Sequence, residues 1–222
     1  MSAEPLVLYD YWRSSAAYRV RIALNLKGLN FEQRSVHLVR DGGEQHSDAY
    51  RSLNPQGLVP TLLHGERVIT QSMAICEYID EAFAGPRLVP GDPAARAAVR
   101  AAAQVIACDV HPLNNLRVQQ YLKGQLGVSP ERSVTWMNHW MSLGFAAFEA
   151  HLLRFGGQGR CCFGDQPTLA DVVLVPQIYN ARRFGCDLEP FPRILEIVAH
   201  LEALPEFVAA APENQPDAER SQ

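Results

Sequence analysis

Residues 11–24 read YWRSSAAYRVRIAL, and this stretch decides how the chain begins to fold. Just before it, Leu6–Tyr9 is a short apolar run that predicts a β-strand. Behind its serine pair, apolar side chains recur with helical spacing over Ala16–Lys27, and Gly28 supplies a stop signal. The start of the chain therefore predicts a strand, a turn that carries two hydroxyl groups, and a helix.

Further strand and helix signals complete a first domain. Phe31–Leu38 predicts a second strand. A hairpin is predicted from strands at Val59–Leu63 and Arg67–Ile69, and Gln71–Phe83 then predicts a helix. A β-α-β unit followed by a β-β-α unit is typical of a thioredoxin-like domain, to which we assign residues 1–86.

Strand signals nearly vanish beyond Pro90, and helix signals replace them. These helices are predicted from N-cap patterns and one apolar run, at Asp92-Pro93, Ser129-Pro130, Thr168 with Asp171, and Ile194–Leu204. His111-Pro112 predicts a kink or a break in the first of them. We expect an all-helical second domain over residues 92–222, with a frayed tail from Pro212 onward.

Composition and charge exclude several classes of protein. The 222 residues are 47% hydrophobic and 20% charged with a net charge of −4, as in ordinary globular chains. Without a basic face, neither nucleic acid nor an anionic membrane is an expected partner. No apolar run approaches a membrane span, and the N-terminus does not resemble a secretory signal. Five cysteines without a Cys-x-x-Cys pair predict reduced thiols in a cytoplasmic protein, with no disulfide framework and no metal site.

Three short segments offer hydrogen bonds to an anionic, peptide-like ligand. The helix N-terminus at Ser14-Ser15 carries unpaired N–H groups and partial positive charge, and a hydroxyl there can lower the pKa of a thiol. Gln71-Ser72 opens another such helix, which suits a ligand carboxylate. We expect a cis peptide at Val59-Pro60 that leaves the backbone of Val59 open to an extended peptide. Simple helix caps and a turn proline are the alternative interpretations of these segments.

Several motifs make the chain similar to the zeta class of glutathione transferases, and within it to the bacterial maleylacetoacetate isomerases. The similarity extends over about residues 5–217 and rests on Arg13–Leu24, Asp41–Gln45, Asn54–Pro60, Gln71-Ser72 and Leu169–Gln177. Many members have Ser-Ser-Cys in the first motif, where this chain has Ala16 in place of the cysteine. The resemblance implies the glutathione transferase fold, an α/β thioredoxin-like domain plus an all-α domain. It also implies glutathione as the cofactor, and the departure at Ala16, which leaves no cysteine in this loop, favours glutathione as the only nucleophile.

The resemblance implies roles for individual residues. Ser14 would stabilise the glutathione thiolate, with Ser15 beside it. Arg13 and Arg183 would clamp substrate carboxylates, for which the planar guanidinium is suited. The tripeptide would be held in the first domain by Ser14, Ser15, Gln45, Val59, Pro60, Gln71 and Ser72. Helical-domain contacts to glutathione, within the subunit or across a dimer interface, would come from His111, Asn115 and Arg117.

Three functions are open at this point. The first is glutathione-dependent isomerisation of 4-maleylacetoacetate to 4-fumarylacetoacetate in tyrosine and phenylalanine catabolism, by reversible addition of the thiolate to the alkene. The second is maleylpyruvate isomerisation in gentisate catabolism, which arginines at positions 13, 117 and 183 favour. The third is a glutathione-binding module without turnover. For the isomerases, the resemblance implies a small dicarboxylate substrate, a homodimer, a minor transferase activity, and a catalytic set of Ser14, Ser15 and Arg13.

Overall fold

The structure is a computed structural model that describes residues 4–219. The chain divides into two compact units. The first contains residues 1–88 together with residues 204–222, and the second contains residues 89–203. The expected second domain of residues 92–222 differs from the second unit at its C-terminal end, because the segment from Leu204 packs with the first unit. No helix within residues 4–219 has the length and apolarity needed to cross a membrane.

Within the described residues of the first unit, one sheet contains four strands in the order β2-β1-β3-β4. They are β1 (Leu6–Asp10), β2 (Glu32–Ser35), β3 (Thr61–His64) and β4 (Arg67–Thr70). β1 runs parallel to β2 and antiparallel to β3, with Leu8 opposite Leu62. β3 and β4 form the predicted hairpin. This mixed sheet confirms the thioredoxin-like prediction.

The α-helices follow in chain order. They are α1 (Ser15–Leu26), α2 (Asp48–Leu53), α3 (Ser72–Ala82), α4 (Pro93–Gln104), α5 (Leu116–Gly124), α6 (Pro130–Phe155), α7 (Leu169–Arg183), α8 (Pro192–Leu201) and α9 (Pro205–Ala210). The sequence did not predict α2 or α5, which are short and lack a long apolar repeat. α1, α2, α3 and α9 belong to the first unit, and α4 to α8 belong to the second.

The first helix begins and ends close to its predicted limits. The Ser14 Oγ accepts a hydrogen bond from the N–H of Ala17 at 3.3 Å and so caps α1. After the helix, Gly28 has a φ of 63°, a left-handed conformation that favours glycine. The intervening residues Ala17–Leu24 are buried, and α1 packs against α3 and α9. The serine pair therefore lies at the end of a helix that the rest of the unit holds on several sides.

The second unit is built around α7. Most of this helix is buried, and the carboxylate of Asp171 accepts the N–H and the O–H of Thr168, each at 2.7 Å, in the predicted capping box. The predicted break at His111-Pro112 is also confirmed. α4 gives way to a wide helical turn over Val105–Val110 and a 3-10 turn over His111–Asn114 before α5 begins.

The helix predicted over Ile194–Leu204 is confirmed as α8, which begins at Pro192 and ends at Leu201. Leu204 is extended and a separate helix, α9, begins at Pro205, which the sequence did not predict. One prediction for the C-terminal region is wrong. The tail from Pro212 is not frayed within the described residues. Pro212 and Gln215 are buried, and the Gln215 Nε2 donates to the carbonyls of Ala209 and Ala211 at 2.9 and 2.7 Å. Residues 220–222 lie outside the described part of the chain.

Candidate active site

The turn between β1 and α1 presents the serine pair. The N–H of Ser14 donates to the carbonyl of Tyr11 at 2.9 Å, which closes the turn. The oxygen of Ser14 accepts the capping hydrogen bond from Ala17, and a hydroxyl that accepts still has its own proton to donate. Ser14 and Ser15 are half-buried rather than sealed in the core. Capping and stabilisation of a thiolate are therefore compatible roles for one hydroxyl.

Arg13 places a positive charge beside the same turn. Its guanidinium carbon lies 4.5 Å from the centre of the Trp12 ring, a stacked geometry that limits the motion of the side chain. Arg13 has no carboxylate partner among residues 4–219. The charge is thus available to an incoming carboxylate.

The peptide bond between Val59 and Pro60 is cis, as predicted. Val59 is buried in a cluster with Tyr11, Trp12, Val36 and Tyr50, so it lies against the residues that precede the serine pair. Sheet pairing starts only at the next residue after Pro60. Within residues 4–219 the N–H and C=O of Val59 make no hydrogen bond. These groups can pair with an extended peptide in the manner of a strand.

Gln45 is a buried amide with an unused acceptor. Its Nε2 donates to the carbonyl of Leu38 at 3.3 Å, while its Oε1 has no hydrogen-bond partner within the described residues. The backbone carbonyl of Gln45 lies 3.0 Å from the position that a Cβ would take on Gly57. A glycine at that position therefore lets the Gln45 loop approach the segment that leads to Val59.

The start of α3 has an unusual backbone. Gln71 has a φ of 69°, which is uncommon for a residue with a side chain, and its Nε2 donates to the Gln56 Oε1 at 2.6 Å. The next residue, Ser72, is buried and its Oγ accepts from the Nη1 of Arg19 on α1 at 3.2 Å. Strain of this kind is most often found at ligand sites. The sequence predicted the helix start but contained no signal for the left-handed residue.

The predicted residues of the helical unit fall into two places. His111 is half-buried in the 3-10 turn, and Asn115 caps α5 by accepting the N–H of Arg117 at 3.1 Å. The side chain of Arg117 is exposed. Arg183 is the last residue of α7, and its guanidinium carbon lies 5.0 Å from the centre of the Phe184 ring. The structure thus groups His111, Asn115 and Arg117 around one helix start, with Arg183 at the end of another helix.

Sequence reasoning missed a buried ion pair behind the serine turn. Arg21 is 1% exposed and its Nη1 lies 2.8 Å from both carboxylate oxygens of Asp10. Its Nη2 donates to the carbonyl of Trp12 at 2.9 Å. Burial raises the pKa of Asp10, and the charge of Arg21 opposes that rise. The available signal was an arginine between Val20 and Ile22, on the apolar part of α1.

The fold and this turn together define a class of protein. A thioredoxin-like unit with a hydroxyl at the start of its first helix and a cis-proline before its third strand, followed by a helical unit, is the arrangement of glutathione transferases. A family model described as "Glutathione S-transferase, N-terminal domain" matches residues 4–81.

Relatives that match over nearly the whole chain show which class of glutathione transferase this is. A "Probable maleylacetoacetate isomerase" of Vibrio cholerae is 53% identical over 96% of this chain and 98% of its own length. A holo structure of a maleyl pyruvate isomerase, described as a bacterial zeta-class glutathione-S-transferase, is 46% identical with a TM-score of 0.93, over 96% of this chain and 100% of that one. A maleylacetoacetate isomerase from Methylobacterium extorquens AM1, with bound malonate and GSH, is 39% identical with a TM-score of 0.91 and the same coverage. The chain belongs to the zeta class of the glutathione transferase family.

Proposed function

We propose that this protein is a glutathione-dependent cis–trans isomerase that converts 4-maleylacetoacetate to 4-fumarylacetoacetate in tyrosine and phenylalanine breakdown. The observation that carries the proposal is the Ser14 hydroxyl, which accepts the capping bond of α1 and keeps a proton to donate. The isomerase names of full-length relatives support the type of reaction. A minor glutathione transferase activity follows from the same class.

The residues of the first unit fit a bound tripeptide. The Gln45 Oε1 is buried without a partner, and the backbone groups of Val59 are unpaired within the described residues. Gln71 and Ser72 open α3, whose N-terminus favours a carboxylate. Glutathione, when bound, supplies the thiol that adds to the alkene as a thiolate. We also assign contacts in the helical unit to His111, Asn115 and Arg117.

The chain itself then has three tasks. The Ser14 hydroxyl, with Ser15 and the N-terminus of α1, favours the ionised form of a thiol and so lowers its pKa. Arg13 neutralises one carboxylate of the substrate, and its stacking on Trp12 fixes its direction. Arg183 binds the other carboxylate. Holding the alkene in a fixed position beside the thiol supplies the remaining acceleration.

Maleylpyruvate is the second candidate substrate. The holo maleyl pyruvate isomerase with a TM-score of 0.93 supports it, as do the arginines at positions 13, 117 and 183. A glutathione-binding module without turnover is the third candidate. We also propose that the protein is a cytoplasmic homodimer. The class supports the dimer, and the five free cysteines support a reducing compartment.

A steady-state comparison of the two substrates, with and without glutathione, tests the proposal. We expect turnover of maleylacetoacetate only when glutathione is present. A strong preference for maleylpyruvate would identify the protein as a maleylpyruvate isomerase, the second candidate function. Equal rates without glutathione would exclude the mechanism, and glutathione binding without any turnover would favour the binding module.

Ser14→Ala tests the role of the hydroxyl. Loss of one preorganised donor at the reacting charge is expected to lower kcat/KM about 100-fold or more. The change also removes a helix cap, which costs about 1 kcal/mol of stability. Ser129→Ala is the matched control, because the Ser129 Oγ caps α6 with the same 3.3 Å geometry. It should lose similar stability and keep its turnover.

Arg183→Ala tests the substrate clamp. We expect a raised KM for the dicarboxylate substrate because one carboxylate loses its cation. Arg182→Ala is the control, since Arg182 precedes it on α7 and pairs instead with Glu202 at 2.5 Å. Equal kinetics of the two variants would remove Arg183 from the site.

A further inference from the structure

The last described residues form a strap across the first unit. We call residues 205–219 the C-terminal strap. Its helix α9 packs on α1 and buries Phe207 and Ala210. A 3-10 turn follows, and the chain then reaches Asp217, which is half-buried. The strap thus runs from the side of α1 to the end of β1, where the serine turn begins.

The side chain of Asp217 binds the backbone of the serine turn. Its Oδ2 accepts the N–H of Trp12 at 3.1 Å and the hydroxyl of Ser35 at 2.8 Å. The carbonyl of Trp12 is held as well, because Arg21 donates to it at 2.9 Å. Arg21 in turn donates to the carbonyl of Ala210 at 2.9 Å. The backbone N–H of Trp12 is therefore held by Asp217 on the strap, and its C=O is held by Arg21, which is itself hydrogen-bonded to the strap.

Trp12 lies inside the turn that sets Ser14. The N–H of Ser14 donates to the carbonyl of Tyr11, so Trp12 and Arg13 are the two residues that the turn encloses. Any shift of the Trp12 peptide changes the direction of the Ser14 hydroxyl and of the Arg13 side chain. Misplacement by about 1 Å is enough to cost about 100-fold in rate at a reacting centre.

We propose that Asp217 is a positioning residue of the active site, which acts through Trp12 to hold Ser14 in the direction that a thiolate requires. The inference rests on the proposed function of Ser14. Asp217 itself does not contact the reacting atoms. Its effect is transmitted through the backbone of Trp12. Asp217 lies 205 residues after Trp12 in the sequence.

The direction in which the thiol pKa changes distinguishes a positioning role of Asp217 from a direct effect of its charge. Removal of a negative charge near a thiolate stabilises the thiolate and lowers the thiol pKa. Loss of the hydroxyl donor raises the same pKa. Asp217→Ala removes charge and acceptor together, so a higher pKa of bound glutathione can arise only from misplacement of the donor.

The experiment compares Asp217→Ala, Asp217→Asn and Glu206→Gln in the full-length protein. The pKa of bound glutathione is measured from thiolate absorbance against pH, together with kcat/KM and urea unfolding. Asp217→Ala is expected to raise the thiol pKa and to lower kcat/KM about tenfold, the loss that one hydrogen bond to a charged group produces. Glu206→Gln removes the same charge from the strap without touching Trp12, and both values should stay at those of the wild type.

Asp217→Asn tests whether the acceptor rather than the charge matters. Its amide oxygen can still accept from Trp12 and Ser35, so the thiol pKa should not rise, and the lost charge can only lower it. Its NH2 group replaces the Oδ1, which is buried without a partner, so stability should fall. A purely structural role would instead make the thiol pKa follow stability across the variants.

The outcomes distinguish this inference from the proposed function. If Ser14→Ala raises the thiol pKa and a folded Asp217→Ala does not, Asp217 has no positioning role and the proposed function stands. If Asp217→Ala does not fold, an Asn variant that is less stable and whose thiol pKa is not raised supports the inference, and one with a raised pKa overturns it. If bound glutathione has an unperturbed thiol in the wild type and in Ser14→Ala, the proposed role of Ser14 fails, and this inference fails with it.

Discussion

Ser14 shows how one side chain can satisfy two interpretations that the sequence presents as alternatives. A serine before a helix is usually a cap, and the bond from Ala17 confirms that it is one here. The cap uses only an acceptor lone pair, so the hydroxyl proton is not consumed. The sequence could identify the position, but it could not show that the oxygen of the hydroxyl group caps the helix while its proton stays available to a ligand.

The cysteines can be separated by their surroundings. Cys108 is exposed, whereas the other four are buried. Burial raises the pKa of Cys76 and of Cys161 to about 12 and that of Cys162 well above its ordinary value. Desolvation also raises the pKa of Cys186. Thiols of this kind do not form thiolates at neutral pH, which agrees with a nucleophile that belongs to the bound tripeptide.

We therefore predict that one thiol per chain reacts rapidly with an alkylating or disulfide reagent at neutral pH. The other four should react only after unfolding, because the reactive species is the thiolate. Cys108→Ser should abolish the rapid phase. A rapid phase that survives this substitution would mean that one of the buried cysteines opens to solvent.

α1 and α3 are joined at their C-terminal ends by a buried ion pair. The Nζ of Lys27 lies 2.9 Å from the Oδ1 of Asp80, and both side chains are nearly inaccessible to solvent. The N–H of Leu88 donates to the same oxygen at 2.8 Å, and Arg87 contacts the other at 3.2 Å. The ion pair thus fixes α3, which carries Gln71 and Ser72 at its opposite end.

Asp80→Asn should lower the free energy of unfolding by about 3–5 kcal/mol, because it leaves the Lys27 ammonium buried without its carboxylate. Glu81→Gln is the control on the next, exposed residue and should stay within about 0.5 kcal/mol of the wild type. Urea unfolding of both variants measures the difference. Equal losses would show that the ion pair contributes nothing beyond surface charge.

The same pair predicts a dependence on pH. Burial alone would raise the pKa of Asp80, but the N–H of Leu88 and the ammonium of Lys27 hold that pKa below its ordinary value. The carboxyl group of an unfolded aspartate has a pKa of about 3.9. The stabilisation is therefore complete above that pH and is lost as the pH falls through the lower pKa of the folded state. The stability difference between the wild type and Asp80→Asn should shrink below about pH 4.

Elements with local signals were predictable, and contacts between distant segments were not. The caps at Ser14, Ser129 and Thr168 and the apolar repeats placed most helices and the hairpin within a few residues. The positive φ of Gln71 and the burial of Arg21 depend on what surrounds them, so no local pattern indicated either one. The prediction of a frayed tail from Pro212 was wrong for the same reason, because a polar, proline-bearing sequence does not indicate which surface it packs against.

The C-terminal strap makes the first unit discontinuous in sequence. Phe207 is 1% exposed, and the Nδ2 of Asn25 on α1 donates to the carbonyl of Glu206 at 2.9 Å. The unit that carries the serine turn therefore obtains part of its core from the last residues of the chain. Its stability should depend on α9 although the second unit intervenes between them in the sequence.

Phe207→Ala should destabilise the first unit by about 3–5 kcal/mol, the usual cost of removing a buried phenylalanine. Val208→Ala is the matched control, because Val208 is the next residue of α9 and is 45% exposed, and it should change stability by less than about 0.5 kcal/mol. Urea titrations that follow glutathione binding report on this unit, and the midpoint should fall only for the Phe207 variant. An unchanged midpoint would mean that α9 rests on α1 without contributing to its stability, and only hydrogen bonds would then join the strap to the serine turn.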